Sequence, residues 1–164
     1  MVLLTIGDAN AFCQWLSRQE NAIYRLPTEA EREYACRANS ITNYYFGDSP
    51  EFLSRYGWYR SNAAGTKPVG LLLPNAWGLY DMAGNVWEYC ADYYLPQKAD
   101  SPVEDPMQSA VKIFGPVIRG GSWIDDWDGG GNGENLRSSA RFHVYYPLIQ
   151  LDWVGFRVAK SVKE

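Results

Sequence analysis

The chain has 164 residues, enough for one domain whose hydrophobic core needs no disulfide staples. Its formal net charge of -4 supplies no basic field, which argues against nucleic acid as a partner, and no apolar run approaches the roughly eighteen residues of a membrane span. Seven Trp, twelve Tyr, fifteen Gly and nine Pro predict a loop-rich fold in which rings pack over irregular backbone.

The opening M-V-L-L-T-I-G-D lacks the basic segment and the apolar length of a signal peptide. The expectation is a soluble, cytoplasmic protein, with secretion left to a longer parent chain that carried its own signal. Residues 6 to 19 read as a helix, because Ala9, Phe12, Cys13 and Leu16 recur at i, i+3, i+4 and i+7. Residues 29 to 38 read as a second. Pro27 stops anything earlier, Thr28 is a good N-cap, and Glu31 three residues on completes a capping box. Glu29 and Glu31 suit the positive end of the helix dipole, so these acids read as structural.

After Asn39 the helical period disappears. Residues 40 to 78 are punctuated by Gly and Pro and read as loop with short strands at most. Residues 86 to 94 read as a buried aromatic strand, 96 to 110 as a polar surface loop, and Val111 to Ile118 as a strand interrupted at Gly115-Pro116. The stretch D-D-W-D-G-G-G-N-G-E-N, 125 to 135, resists regular structure. Val154 to Val158 reads as a short last strand. The fold class implied is α+β: two helices, then small twisted antiparallel sheets and long ordered loops, in a single domain spanning 1-164.

Cys13, Cys36 and Cys90 form no C-x-x-C pair and are odd in number. They read as free buried thiols of a reducing compartment rather than as a zinc site or a disulfide framework.

Four motifs occur in order: R-L-P-T-E-A-E-R-E-Y-A (25 to 35), N-A-W-G-L-Y-D-M-A-G-N-V-W-E (75 to 88), R-G-G-S-W (119 to 123) and G-F-R-V-A (155 to 159). With D-A-N-A-F-C-Q-W-L (8 to 16) before them, they resemble the formylglycine-generating enzyme family, also called the sulfatase-modifying factor domain. The resemblance implies a C-type-lectin-like fold. It covers the whole chain but not the whole family domain, whose usual N-terminal segment is lacking; a partner chain replacing that segment is one reading of the difference.

The resemblance also implies a structural calcium ion at the second motif's acids. The ligands would be the side chains of Asp81 and Glu88 with the carbonyls of Gly84 and Val86, a hard-oxygen set that suits calcium. The competing reading is that these polar groups bond only to loop backbone. A second calcium site of some members has no acid here, in Y-R-S-N-A-A-G-T-K-P-V-G (59 to 70).

The active enzymes of the family hold copper with two cysteines after R-G-G-S-[WY]. Here Asp125 stands where the first belongs, and no cysteine follows Cys90. Carboxylates are poor Cu(I) ligands, so no copper is expected and the family's oxidative chemistry loses its metal. His143, the only histidine, cannot make the multi-histidine iron site of the related sulfoxide synthases.

What remains is a face between residues 123 and 155. It carries Asp125, Asp126, Trp127, Asp128, Glu134, Phe142, His143, Tyr145, Tyr146 and Trp153, aromatics beside acids on Gly-rich loops. Tyr145 and Tyr146 cannot both point inward from extended backbone. The frame R-G-G-S-W, L-R-S-S-A-R (136 to 141), G-F-R also resembles that of the variable proteins of diversity-generating retroelements, which diversify this face. Three readings of function follow. The first is a non-catalytic module binding a protein or peptide ligand on that face. The second is an enzyme with altered, non-copper chemistry, and the third a structural or assembly subunit.

Overall fold

The computed structural model describes residues 2–95, 114–126, 133–146 and 148–162. The polar loop expected at 96 to 110 lies outside them. Helix α1 (Ile6–Glu20) starts at a capping box that the sequence reading missed. The Thr5 amide donates to Asp8 Oδ2 at 2.8 Å, and the Asp8 amide donates to Thr5 Oγ at 3.2 Å. Helix α2 (Glu29–Arg37) has the expected Thr28–Glu31 box.

Among the described residues, eight short strands follow the chain: β1 (Tyr24–Arg25), β2 (Gly57–Trp58), β3 (Ala83–Gly84), β4 (Trp87–Tyr93), β5 (Pro116–Arg119), β6 (Arg141–His143), β7 (Val154–Phe156) and β8 (Ala159–Lys160). The central sheet runs β6-β5-β4-β7, with β4 antiparallel to β5 and parallel to β7. β1 pairs with β8 and β2 with β3. Gly115-Pro116 opens β5 rather than interrupting it. A Cβ at Gly115 would lie 1.9 Å from the Val144 carbonyl oxygen, and its φ is +80°, so only glycine lets the two chains approach there. A 3-10 helix at Pro50–Arg55 was also unforeseen, although Ser49 and Pro50 are suited to its start.

The sheet has two buried faces of opposite chemistry. Trp87, Tyr89, Ile118 and Val154 pack with Ala9 and Cys13 of α1, and with Leu4 and Leu26, in an apolar core. The alternate residues turn toward α2, which presents Glu29, Arg32, Glu33 and Cys36 at i, i+3, i+4 and i+7. This is a helix face built of charges.

The charges pair. Arg32 Nε donates to Glu88 Oε2 at 2.7 Å, and Asp92 Oδ2 accepts from the Glu29 amide at 2.6 Å, closing the N-terminal end of α2. Arg119 Nη2 lies 2.9 Å from Glu29 Oε1 and also binds Glu33. Arg141 joins from β6, its Nη2 donating to Glu29 Oε2 at 2.7 Å. Register places Arg141 beside Arg119 and Arg119 beside Glu88, so one row of the sheet carries the ionic layer.

A second apolar cluster, Tyr44, Leu53, Tyr59, Ala83 and Leu136, anchors the long 40–78 loop to the body. All three cysteines are free and buried. No described helix is long and apolar enough to cross a membrane.

Candidate functional site

Two regions compete as sites, the 78–88 loop and the 123–155 face. In the loop, Asp81 and Asn85 both take left-handed backbone, at φ 55° and 66°. Their side chains bind the neighbouring 66–70 segment. Asp81 Oδ2 accepts from the Gly70 amide at 2.8 Å. Asn85 accepts from the Lys67 amide at 3.0 Å and donates to the Lys67 carbonyl at 3.1 Å. Gly84 is needed because a Cβ there would meet the Trp58 carbonyl oxygen at 2.3 Å.

A cavity of about 610 Å³ opens beside the loop, lined among others by Thr66, Lys67, Asp81, Val86, Phe156 and Arg157. Asp81, Gly84, Val86 and Glu88 all border it, so the four residues expected to hold calcium do converge. One buried oxygen, Asp81 Oδ1, has no hydrogen-bond partner among the described residues.

Glu88 does not fit the metal. Its Oε2 receives Arg32, and Arg157 reaches both its oxygens, with Nε at 3.1 and 3.0 Å and Nη2 at 2.9 Å from Oε1. Burial pushes the Glu88 pKa up, but the Arg157 and Arg32 guanidiniums outweigh it and leave the carboxyl at about 2. Four contacts from two guanidiniums already occupy the roughly four lone-pair sites of this carboxylate. With Glu88 spent, the set falls short of the six to eight oxygens calcium takes.

On the 123–155 face, the structure sorts the expected residues into supports and exposed groups. Asp125 is a support. Its Oδ2 accepts from the Ser122 amide, the Ser122 hydroxyl and Trp87 Nε1, each at 2.8 Å, and its Oδ1 accepts from Asn135 Nδ2 at 2.7 Å. Asp125 is therefore a clamp joining the end of R-G-G-S-W, strand β4 and the 134–136 turn. Asp125→Ala is expected to cost about 1–3 kcal/mol, because buried donors lose their acceptor. Faster amide hydrogen exchange across 122–126 would report it.

His143 is a correction to the expected face. It is buried at 8% exposure, stacked on Tyr94 with ring centroids 4.3 Å apart and edged by Tyr145, also at 4.3 Å. Neither ring nitrogen has a hydrogen-bond partner among the described residues. Burial, then the nearby Arg141 charge, holds its pKa below the ordinary imidazole value, so it sits there neutral. Trp153 is half-buried against the apolar core, and Asp126 is half-buried too. Glu134 is exposed, 3.9 Å from Arg137. Trp127 and Asp128 lie outside the described residues.

Three rings remain outward. Phe142 is exposed, and Tyr145 and Tyr146 are 64% and 75% exposed. Phe142 contacts the Trp87 ring at 6.1 Å, which links the rings through Trp87 to the Asp125 clamp. Sequence reasoning missed the neighbours Leu148 and Ile149, also exposed. Their signal was the apolar run L-I-Q-L directly after the tyrosines. It also missed Arg32 and Arg157 as the holders of Glu88, since nothing in the spacing of 32, 88 and 157 announces their contact.

Residues 1–162 match the model of the sulfatase-modifying factor enzyme 1-like domain. A formylglycine-generating enzyme of Mycobacterium tuberculosis is 33% identical over 143 residues, covering 76% of this chain and 46% of that protein. The inactive C-alpha-formylglycine-generating enzyme 2 of Mus musculus is 32% identical over 176 residues, covering 98% of this chain and 49% of its own length. The chain thus spans about half the length of these relatives. Among solved structures, Treponema denticola variable protein 1 superposes with a TM-score of 0.86 at 24% identity, over 96% of this chain and 69% of the other, a likeness of fold. The α+β body with few helices and small sheets is of the C-type-lectin-like, formylglycine-generating-enzyme type, and the chain belongs to the sulfatase-modifying factor enzyme 1-like family.

Proposed function

We propose that this chain is a non-catalytic module that binds a protein or peptide ligand on the 123–155 face. The observation that carries the reading is the pair Tyr145–Tyr146, both exposed, on backbone that leaves strand β6. Two neighbouring rings held out to water on a braced loop supply large contact area at low entropic cost. Phe142 and Ile149 extend the patch. Two likenesses are compatible with a role without catalysis: a relative named as an inactive enzyme, and a fold neighbour named as a variable protein. The absence of any cysteine after Cys90 points the same way. The alternative of a hard-metal enzyme built on the acidic loop draws no support from Asp125, whose oxygens are taken by four donors.

The test is photo-crosslinking in the protein's own cells. A benzophenone side chain at position 146 is expected to give one discrete adduct. A second at exposed Glu51 gives none, and Tyr145→Ala weakens the first. Both tyrosines are surface groups, so Tyr145→Ala should leave stability within about 0.5 kcal/mol. Equal labelling from 146 and 51 would sink the assignment of this face, and formylglycine formation in a sulfatase-derived cysteine peptide would sink the non-catalytic reading itself.

A further inference from the structure

The 78–88 loop carries two buried carboxylates, and one of them, Glu88, is held by two guanidiniums of this chain. We infer that the Arg157 guanidinium performs the loop-closing task that the family resemblance gives to calcium, so that the loop closes without a metal ion.

The geometry is that of a tie. Arg157 Nη2 donates to the Tyr80 carbonyl at 3.0 Å and lies 3.5 Å from the Asp81 carbonyl oxygen, at the start of the loop. The same nitrogen lies 2.9 Å from Glu88 Oε1, at the loop's end, and Nε spans both oxygens of that carboxylate. One planar group thus gathers two backbone carbonyls and a carboxylate across nine residues of sequence, from 80 to 88. Guanidinium suits this because its donors form a fixed fork, where an ammonium would offer a single point of charge.

Arg32 closes the other side. Its Nε binds Glu88 Oε2 at 2.7 Å and its Nη2 donates to the Met82 carbonyl at 3.1 Å, inside the same loop. Both guanidiniums, Arg32 and Arg157, pair with Glu88, so the charge of this carboxylate is already met by the chain itself. A divalent ion bound to Glu88 would face two guanidiniums within contact distance of its own ligand. Such repulsion is screened least on the Arg32 side, where both side chains are buried. Asp81 Oδ1, the one buried carboxylate oxygen of the loop without a partner, is too little to offset it.

Arg157 is only part-buried, so the tie can be tested by substitution. The readouts are thermal unfolding with millimolar calcium and with EDTA, and calorimetric titration with calcium alone. For the unaltered chain, the melting temperature is expected to be the same in both media and the titration silent. Arg157→Met is expected to melt several degrees lower and to recover part of that loss in calcium, since Glu88 is then released on one side. A ligand that binds only the folded state must raise the midpoint. Arg157→Lys keeps the charge without the fork; it should melt lower while staying indifferent to calcium, and it serves if the methionine variant does not fold.

A midpoint of the unaltered chain that rises with calcium and falls with EDTA would overturn the inference. So would an Arg157→Met chain that melts lower yet ignores calcium, because Arg157 would then be an ordinary ion-pair partner.

Discussion

Glu88→Gln is expected to lower the stability of this chain by about 3–5 kcal/mol, because it removes one side of a buried ion network and leaves the other in place. The Arg32 side chain is 2% exposed and has no route to water. Its remaining partner, the Met82 carbonyl, is a dipole and cannot balance a full charge. Arg157 loses the group that three of its contacts share, although it is part-exposed and can rehydrate. In a urea titration the midpoint should fall at constant slope, since the native fold and its buried area are retained. The double variant Glu88→Gln with Arg32→Met should lose less than the sum of the two single changes, because neither then strands a charge. Acid supplies the same test without a substitution. The Glu88 pKa falls from 4.5 to about 2 on folding, so its contribution is present above the higher value. It is lost as the pH drops from about 4.5 through about 2, where folded and unfolded states become equally protonated. Glu31, held at about 2 chiefly by its hydrogen bond from Arg25, titrates in the same window. It is part-exposed and contributes less.

Arg119→Met is the second large expectation, of similar size, and it reaches the proposed binding face. Arg119 holds Glu29 and Glu33 of α2 and donates from Nη1 to the Ser138 and Ala140 carbonyls, at 3.2 and 2.9 Å. Its removal leaves Glu29 to Arg141 and strips one buried and one part-buried carbonyl of this donor. The loss should show locally before it shows globally. Hydrogen exchange should accelerate at 137–143 at temperatures where α1 is still protected. If the face depends on this bracing, the crosslink from position 146 should weaken in step. Unchanged exchange at 137–143 would refute the bracing role of Arg119.

The sequence made some of this legible for physical reasons. Helix α2 was readable because Thr28 and Glu31 are a local signal, complete within four residues. The cap of α1 was missed because its reciprocal acid is Asp8, one methylene shorter than the usual glutamate. Strand β4 was recognised by its aromatics, although W-E-Y-C-A-D-Y shows no simple polar–apolar alternation, since cysteine and tyrosine carry no clear polarity. The alternation is one of chemistry, apolar toward α1 and ionic toward α2, with both faces buried. Strand β6 was invisible because three residues set no period. The site was legible in outline. The exposed state of at least one of Tyr145 and Tyr146 follows from strand geometry. The inward turn of Asp125 and His143 does not, because it depends on Trp87, Asn135 and Tyr94, distant in sequence.

The two-faced β4 strand has a consequence for folding. In a sheet with one wet face, slipping a strand by one residue exposes apolar groups, and the error is tolerable for a time. Here a slip by one would turn Glu88 and Asp92 toward Cys13 and Leu26, and Trp87 and Tyr89 toward Arg32 and Glu29. Both faces would then be wrong at once, with unpaired charge in an apolar pocket and no solvent to relieve it. The ionic layer adds little net energy over an apolar one of equal volume. Its value lies in discrimination: it makes the misaligned pairing so costly that a strand of seven residues can find one partner alignment among several.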